Sequence, residues 1–130
     1  MSKGDSGVKL HYTHCRLHSL QQEAFPSQWQ ATVRDSLLTS RDLLPEPSAA
    51  ALVLHLARYD EALRDAYLTL EPCVLVQYLF RLCNLTSKAL TELPVKGSER
   101  PEARVALFAA AKETLARGMR VLGVEPLEQM

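Results

Sequence analysis

Glu71-Pro72-Cys73-Val74-Leu75-Val76-Gln77-Tyr78-Leu79-Phe80-Arg81-Leu82 opens the stretch that decides the fold. Leu75, Tyr78, Leu79, Leu82, Thr86, Ala89, Leu90 and Leu93 recur at three- and four-residue steps, the signature of one buried helix face. Pro72 suits a first helical turn, which has no use for its missing N–H. Pro94 is a stop signal. The spacing therefore predicts one long helix between these two prolines.

Outward toward the C-terminus, residues 95–100 are polar, and Pro101 and Glu102 begin a second long pattern. Val105, Phe108, Ala111, Leu115, Met119 and Leu122 share its apolar face. Ala109, Ala110 and Gly118 are small enough for close packing. Glycine inside a helix costs about 1 kcal/mol relative to alanine, so Gly118 is expected where another backbone or a ligand comes near. Gly123 is placed to end the helix in a left-handed cap.

Outward toward the N-terminus, Ala62, Leu63, Ala66, Tyr67 and Leu70 form a shorter stripe, with Asp60 as its expected cap. Ala51, Leu52, Leu54, His55, Leu56 and Tyr59 form another, beginning at Pro47 or Ser48. His55 reads as a packed histidine rather than a ligand. Leu44-Pro45-Glu46-Pro47 breaks the chain. It divides an N-terminal segment, 1–47, from a helical bundle, 48–130. Within the first segment, 1–7 reads as a flexible start, and short helices are expected over 10–20 and 29–38. Phe25 and Trp29 there are candidates for an apolar patch that meets a protein partner. No strand pattern of useful length competes, so the fold class is all-α.

Composition excludes several functions. The three cysteines, Cys15, Cys73 and Cys83, form no C-x-x-C pair, so no disulfide framework is expected and a cytoplasmic location is. No apolar run reaches membrane-spanning length. The Asn84-Leu85-Thr86 glycosylation triplet falls inside a helix and reads as chance. His14 and His18 share a helical face beside Cys15, a spacing that zinc can use. No further ligand joins them, so no metal or cofactor is expected. There is no phosphate-binding Gly-rich loop and no nucleophile motif, so the chain reads as non-catalytic.

The formal net charge is zero, but it is unevenly spread. Residues 42–72 carry Arg58 and Arg64 against Asp42, Glu46, Asp60, Glu61, Asp65 and Glu71. Residues 73–124 carry eight cations against Glu92, Glu99, Glu102 and Glu113. Arg81 and Lys88 lie seven apart on one helix, and Arg117 and Arg120 three apart on the next. A basic surface opposite an apolar stripe is what a phosphate backbone needs. A solvated cationic face has the same pattern.

The landmarks Glu71-Pro72, Tyr78-Leu79, Arg104-x-Ala106-Leu107 and Gly118-Met119-Arg120-Val121-Leu122-Gly123-Val124-x-Pro126-x-Glu128-x-Met130 resemble the C-terminal DALR anticodon-binding domain of arginyl-tRNA synthetases. Tyr12-Thr13-His14-Cys15-Arg16-Leu17-His18-Ser19-Leu20 resembles the segment that leads from the synthetase core into that domain. The resemblance is nearest to the non-catalytic relatives of the synthetase. It implies an all-α bundle that binds arginine tRNA at the anticodon stem-loop and presents it to a tRNA 3-methylcytidine methyltransferase. Leu90 replaces a frequent aromatic, Phe108 a frequent tyrosine, and Gln129 an arginine. On this reading Arg81, Lys88, Arg104, Arg117 and Arg120 contact phosphates, while Tyr78, Phe108 and Met130 contact bases. Tyr78 and Phe108 also read as core residues. A bundle that kept its fold but serves as a protein-interaction module is the alternative.

Overall fold

The computed structural model describes residues 5–24, 46–93 and 101–127. They form five helices and no strand: α1 (Asp5–Ala24), α2 (Pro47–Ala57), α3 (Tyr59–Thr69), α4 (Pro72–Glu92) and α5 (Pro101–Val121). The expected helix over 29–38 and the patch at Phe25 and Trp29 lie outside the described residues.

α4 is the axis of the bundle and touches all four other helices. It buries Leu75, Tyr78, Leu79, Leu82, Cys83, Thr86 and Ala89, following the periodicity of its sequence closely. α2 and α3 also touch each other, α1 packs on α5 as well, and α2 reaches α5. Leu52 of α2 and Val105, Phe108, Ala111, Leu115 and Met119 of α5 complete the core. Each fully buried side chain of this size contributes about 1.5–3 kcal/mol, so the apolar faces of α4 and α5 supply much of the core.

The N-terminal helix is longer than its sequence pattern indicates. Asp5, Ser6 and Gly7 are helical rather than irregular, and the helix continues to Ala24. Leu10 and Leu17 enter the same core as the later helices, and Thr13 and His14 are buried beside them. With Leu20 packed half-buried beside them, these anchors are too widely spaced to make a strong stripe, and the placement of α1 comes from packing on α4 and α5.

Two turns differ from expectation. Arg58 alone separates α2 from α3. Asp60 therefore lies in the first turn of α3 and does not cap it; no side chain does. Its charge still favours the positive helix end. At the other end of α3, Leu70 adopts φ 57°. Glu71 N–H reaches Ala66 C=O at 3.2 Å and Leu70 N–H reaches Tyr67 C=O at 3.4 Å, which is a Schellman cap with leucine in the position that favours glycine.

Gly118 is close-packed, but against a side chain rather than a backbone or ligand. A Cβ there would lie 2.5 Å from Leu79 Cδ2. Gly123 has φ 82°, and Val124 N–H returns to Met119 C=O at 2.9 Å. The expected left-handed cap ends α5 and turns the chain back across the bundle.

Candidate nucleic-acid interface

The buried side of α4 leaves Gln77, Arg81, Asn84, Lys88 and Thr91 on the opposite, exposed stripe. Arg81 and Lys88 are thus both at the surface and aligned along one helix. Lys9 of α1 donates from Nζ to Asn84 Oδ1, which brings a third cation between them. Arg58, at the α2–α3 junction, and Arg81 both act through space on His55. This α1–α4 surface gathers positive charge from separate parts of the chain.

Arg117 and Arg120 occupy the solvent edge of α5. Arg117 pairs with Glu113 at 2.7 Å and Arg120 with Glu125 at 3.4 Å. Both pairs are well exposed, and such pairs are worth less than about 1 kcal/mol. A phosphate can therefore displace either carboxylate at little cost.

The other sequence-derived candidates are placed differently. Phe108 is fully buried in the core, because its position falls at the centre of the α5 apolar face. Tyr78 is only 7% exposed. Its ring stacks on His55 at 4.1 Å, and burial pushes its phenol well above the ordinary tyrosine value. Neither ring offers a face to a base in this conformation. Arg104 is largely buried and holds Glu46 Oε1 at 3.2 Å, so its guanidinium joins α5 to the start of α2. Met130 lies outside the described residues, as do Gln129 and the loop cations Lys96 and Arg100.

The histidine–cysteine group on α1 does not gather as a metal site. His14 Nδ1 lies 2.8 Å from Leu127 C=O, and Cys15 Sγ 3.1 Å from the same oxygen. Lys112 Nζ meets His18 Nδ1 at 2.9 Å. Burial, above all, lowers the His14 imidazole below its ordinary value, so it is held neutral. Among the described residues no group of three or more His, Cys, Asp or Glu side chains is placed to hold a metal ion. Among them also, no helix is long and apolar enough to cross a membrane. All three cysteines are free.

A family model described as "DALR anticodon binding domain" matches residues 10–130. The chain belongs to this DALR family. Among its relatives, the cytoplasmic arginine–tRNA ligase of Saccharomyces cerevisiae is 38% identical over 130 residues, covering 98% of this chain and 21% of the ligase. The mitochondrial arginine–tRNA ligase of the same yeast is 34% identical over 132 residues, with 98% and 20% covered. A crystal structure from Campylobacter jejuni assigned as an arginyl-tRNA synthetase superposes with TM-score 0.84 at 19% identity, covering 99% of this chain and 27% of that one. This DALR chain thus spans about a fifth of the length of the curated relatives it matches. Its family match begins at Leu10, inside α1, which fits the packing of α1 against α4 and α5.

Two features of this DALR domain carry no sequence signal. Lys9 joins the cationic stripe only because α1 packs beside α4. The attachment of Leu127 to α1 links residues 113 positions apart, and a contact between a side chain and a distant backbone group leaves no periodicity.

Proposed function

We propose that the chain is a non-catalytic tRNA-binding module that recognises arginine tRNA at its anticodon stem-loop. The carrying observation is the match of the anticodon-binding family model to residues 10–130. The exposed cations on α4 and α5 support it, since phosphate contacts dominate nucleic-acid affinity. Arg81 and Lys88, joined by Lys9, follow one strand of the RNA backbone, and Arg117 and Arg120 add contacts from α5. Met130 is the base contact. Arg104, Tyr78 and Phe108 serve by holding the scaffold that carries these groups.

The reading extends to an adaptor role in the cytoplasm, in which the bound tRNA is presented to a tRNA 3-methylcytidine methyltransferase. The resemblance to non-catalytic relatives of the synthetase motivates this step. A second reading, a protein-interaction module without RNA recognition, is favoured by a different observation. Tyr67 and Leu68 on α3 and Leu70 at its C-terminal cap are exposed to 77%, 66% and 83%, and Asp60, Glu61, Asp65 and Glu71 are exposed around them. With Arg64 also exposed among them, that face is net acidic and suits a protein surface with an apolar centre and a basic rim. An adaptor needs both surfaces.

Titration of the purified chain with arginine tRNA and a non-cognate tRNA at two salt concentrations tests the RNA reading. Preferential binding of arginine tRNA is expected, with a log–log salt slope near ~−3 for about four phosphates contacted. Equal, feeble binding to both would overturn it and leave the protein-interaction reading.

A further inference from the structure

A cavity of about 500 Å³ lies between the start of α2 and the last two turns of α4. Among the described residues, Pro47, Ser48, Ala51, Leu85, Lys88 and Glu92 line it. Its volume is within the range of about 300–1,000 Å³ that small-ligand sites occupy. That is room for a single nucleotide unit and not for a duplex. Lys88 belongs both to the cavity and to the exposed stripe of α4 that carries Arg81 and Asn84. The cavity therefore adjoins the cationic surface.

Its polar groups are unspent. Lys88 and Glu92 stand one helical turn apart, a spacing that lets opposite charges pair. Among the described residues neither has an ion-pair or hydrogen-bond partner. Ser48 is 5% exposed, and its Oγ is buried with no hydrogen-bond partner. Buried hydroxyls nearly always have one, so this wall residue has a hydrogen bond left to make. Ser48 lies in the first turn of α2, at the positive end of the helix dipole. No acidic side chain stands in that turn, and Glu46 at its N-cap makes no bond to it. Glu46 Oε1 takes Arg104 instead.

A bare phosphate would meet Lys88 and the positive end of α2, but the Glu92 carboxylate would repel it. A ribose–phosphate unit suits both. Its phosphate accepts from Lys88 and from the Ser48 hydroxyl, and its 2′-hydroxyl donates to Glu92. Pro47, Ala51 and Leu85 give the sugar an apolar wall. We propose that the α2–α4 cavity seats one nucleotide of the RNA backbone, and that Glu92 there reads the 2′-hydroxyl, the group by which a protein tells RNA from DNA. The inference rests on the RNA reading above and names the unit that the α4 cations deliver to the bundle.

The test titrates the full chain with the anticodon stem-loop of an arginine tRNA, first as all-ribose RNA and then as a series with one 2′-deoxy nucleotide at each position in turn. One position in the series is expected to weaken binding about ten-fold, the lower end for a hydrogen bond to a charged group. Glu92→Ala should weaken binding of the all-ribose stem-loop by the same factor. Combined with the sensitive deoxy position, it should cause no further loss. Ser48→Ala should also weaken binding about ten-fold while leaving Tm unchanged, because its hydroxyl has no partner within the protein. Undiminished affinity in both variants would overturn the proposal, and the RNA reading would stand. Tighter binding by Glu92→Ala would show that the carboxylate only repels the backbone, and multiplicative losses would show that it acts apart from the 2′-hydroxyl; either overturns it. If the unaltered chain binds no stem-loop, the RNA reading fails and this inference with it. That failure shows in the parent protein rather than in the variants.

Discussion

His55 and Tyr78 hold each other by side chain and backbone in both directions. The Tyr78 hydroxyl donates to His55 C=O at 2.6 Å, and His55 Nε2 donates to Tyr78 C=O at 3.0 Å. Their rings stack at 4.1 Å with 14° between the planes, and Tyr59 closes on Tyr78 at 5.8 Å. This reciprocal pair fastens α2 to α4. It also occupies the aromatic ring that anticodon-binding reasoning would otherwise offer to a base. Tyr78→Phe keeps the stack and loses the donor, and it should cost about 1 kcal/mol. Urea unfolding would read this as a lower midpoint with an unchanged slope. Arginine tRNA affinity, measured in folding conditions, should not move. A large loss of affinity would show that Tyr78 reaches RNA after all.

Acid should weaken the fold through two histidines. Burial, chiefly, depresses both His14 and His55 below the ordinary value of 6.5. The unfolded chain then takes up protons more readily than the folded one, so stability rises with pH across that interval. The contribution is fully present above 6.5 and is lost as pH falls through the depressed folded values. Thermal unfolding between pH 7.5 and 5 should show a falling Tm, and His55→Gln should flatten the profile. An equal slope in that variant would exclude His55 as a source.

Leu70 carries a cost that a glycine would remove. A left-handed conformation costs a non-glycine residue roughly 1 kcal/mol, and the side chain is solvent-exposed, so no core contact offsets it. Leu70→Gly is therefore expected to raise stability by up to about 0.5 kcal/mol, after the entropy cost of glycine is subtracted. Thermal denaturation checks this. A lower Tm would mean that Leu70 has packing partners in solution.

The cations divide into two classes that mutation should separate. Arg81→Gln and Lys88→Gln should leave Tm nearly unchanged and each reduce the salt slope of tRNA binding by about 1. Arg104→Gln breaks the half-buried pair with Glu46 and should destabilise by about 1 kcal/mol after allowance for solvent screening. Measuring Tm and salt slope on the same three variants distinguishes the classes. A slope change in Arg104→Gln at constant Tm would return Arg104 to the interface.

The helices of the C-terminal half were legible because each announces itself. Pro72, Pro94, Pro101 and Gly123 punctuate them, and α4 keeps its apolar period over its whole length. The same periodicity that located Tyr78 and Phe108 also put them inside, so it could not nominate them as contacts. Arg81 and Lys88 fall on the exposed stripe for the same geometric reason. The pairing of Arg104 leaves no trace in the sequence, because its partner Glu46 lies 58 positions upstream, beyond any local pattern. α1 was under-read because its burial depends on helices that follow it by most of the chain.

That last arrangement has a consequence for synthesis. α1 is made before the helices that seat it, α4 and α5, and its grip on Leu127 spans 113 residues. At ~5–20 residues per second, roughly 6–23 s separate the making of His14 from the arrival of its partner. Until α4 and α5 have both been made, Leu10 and Leu17 lack the helices that bury them in the finished fold. The burial of α1 is therefore completed late, once α5 has been made, and not during the synthesis of α1 itself.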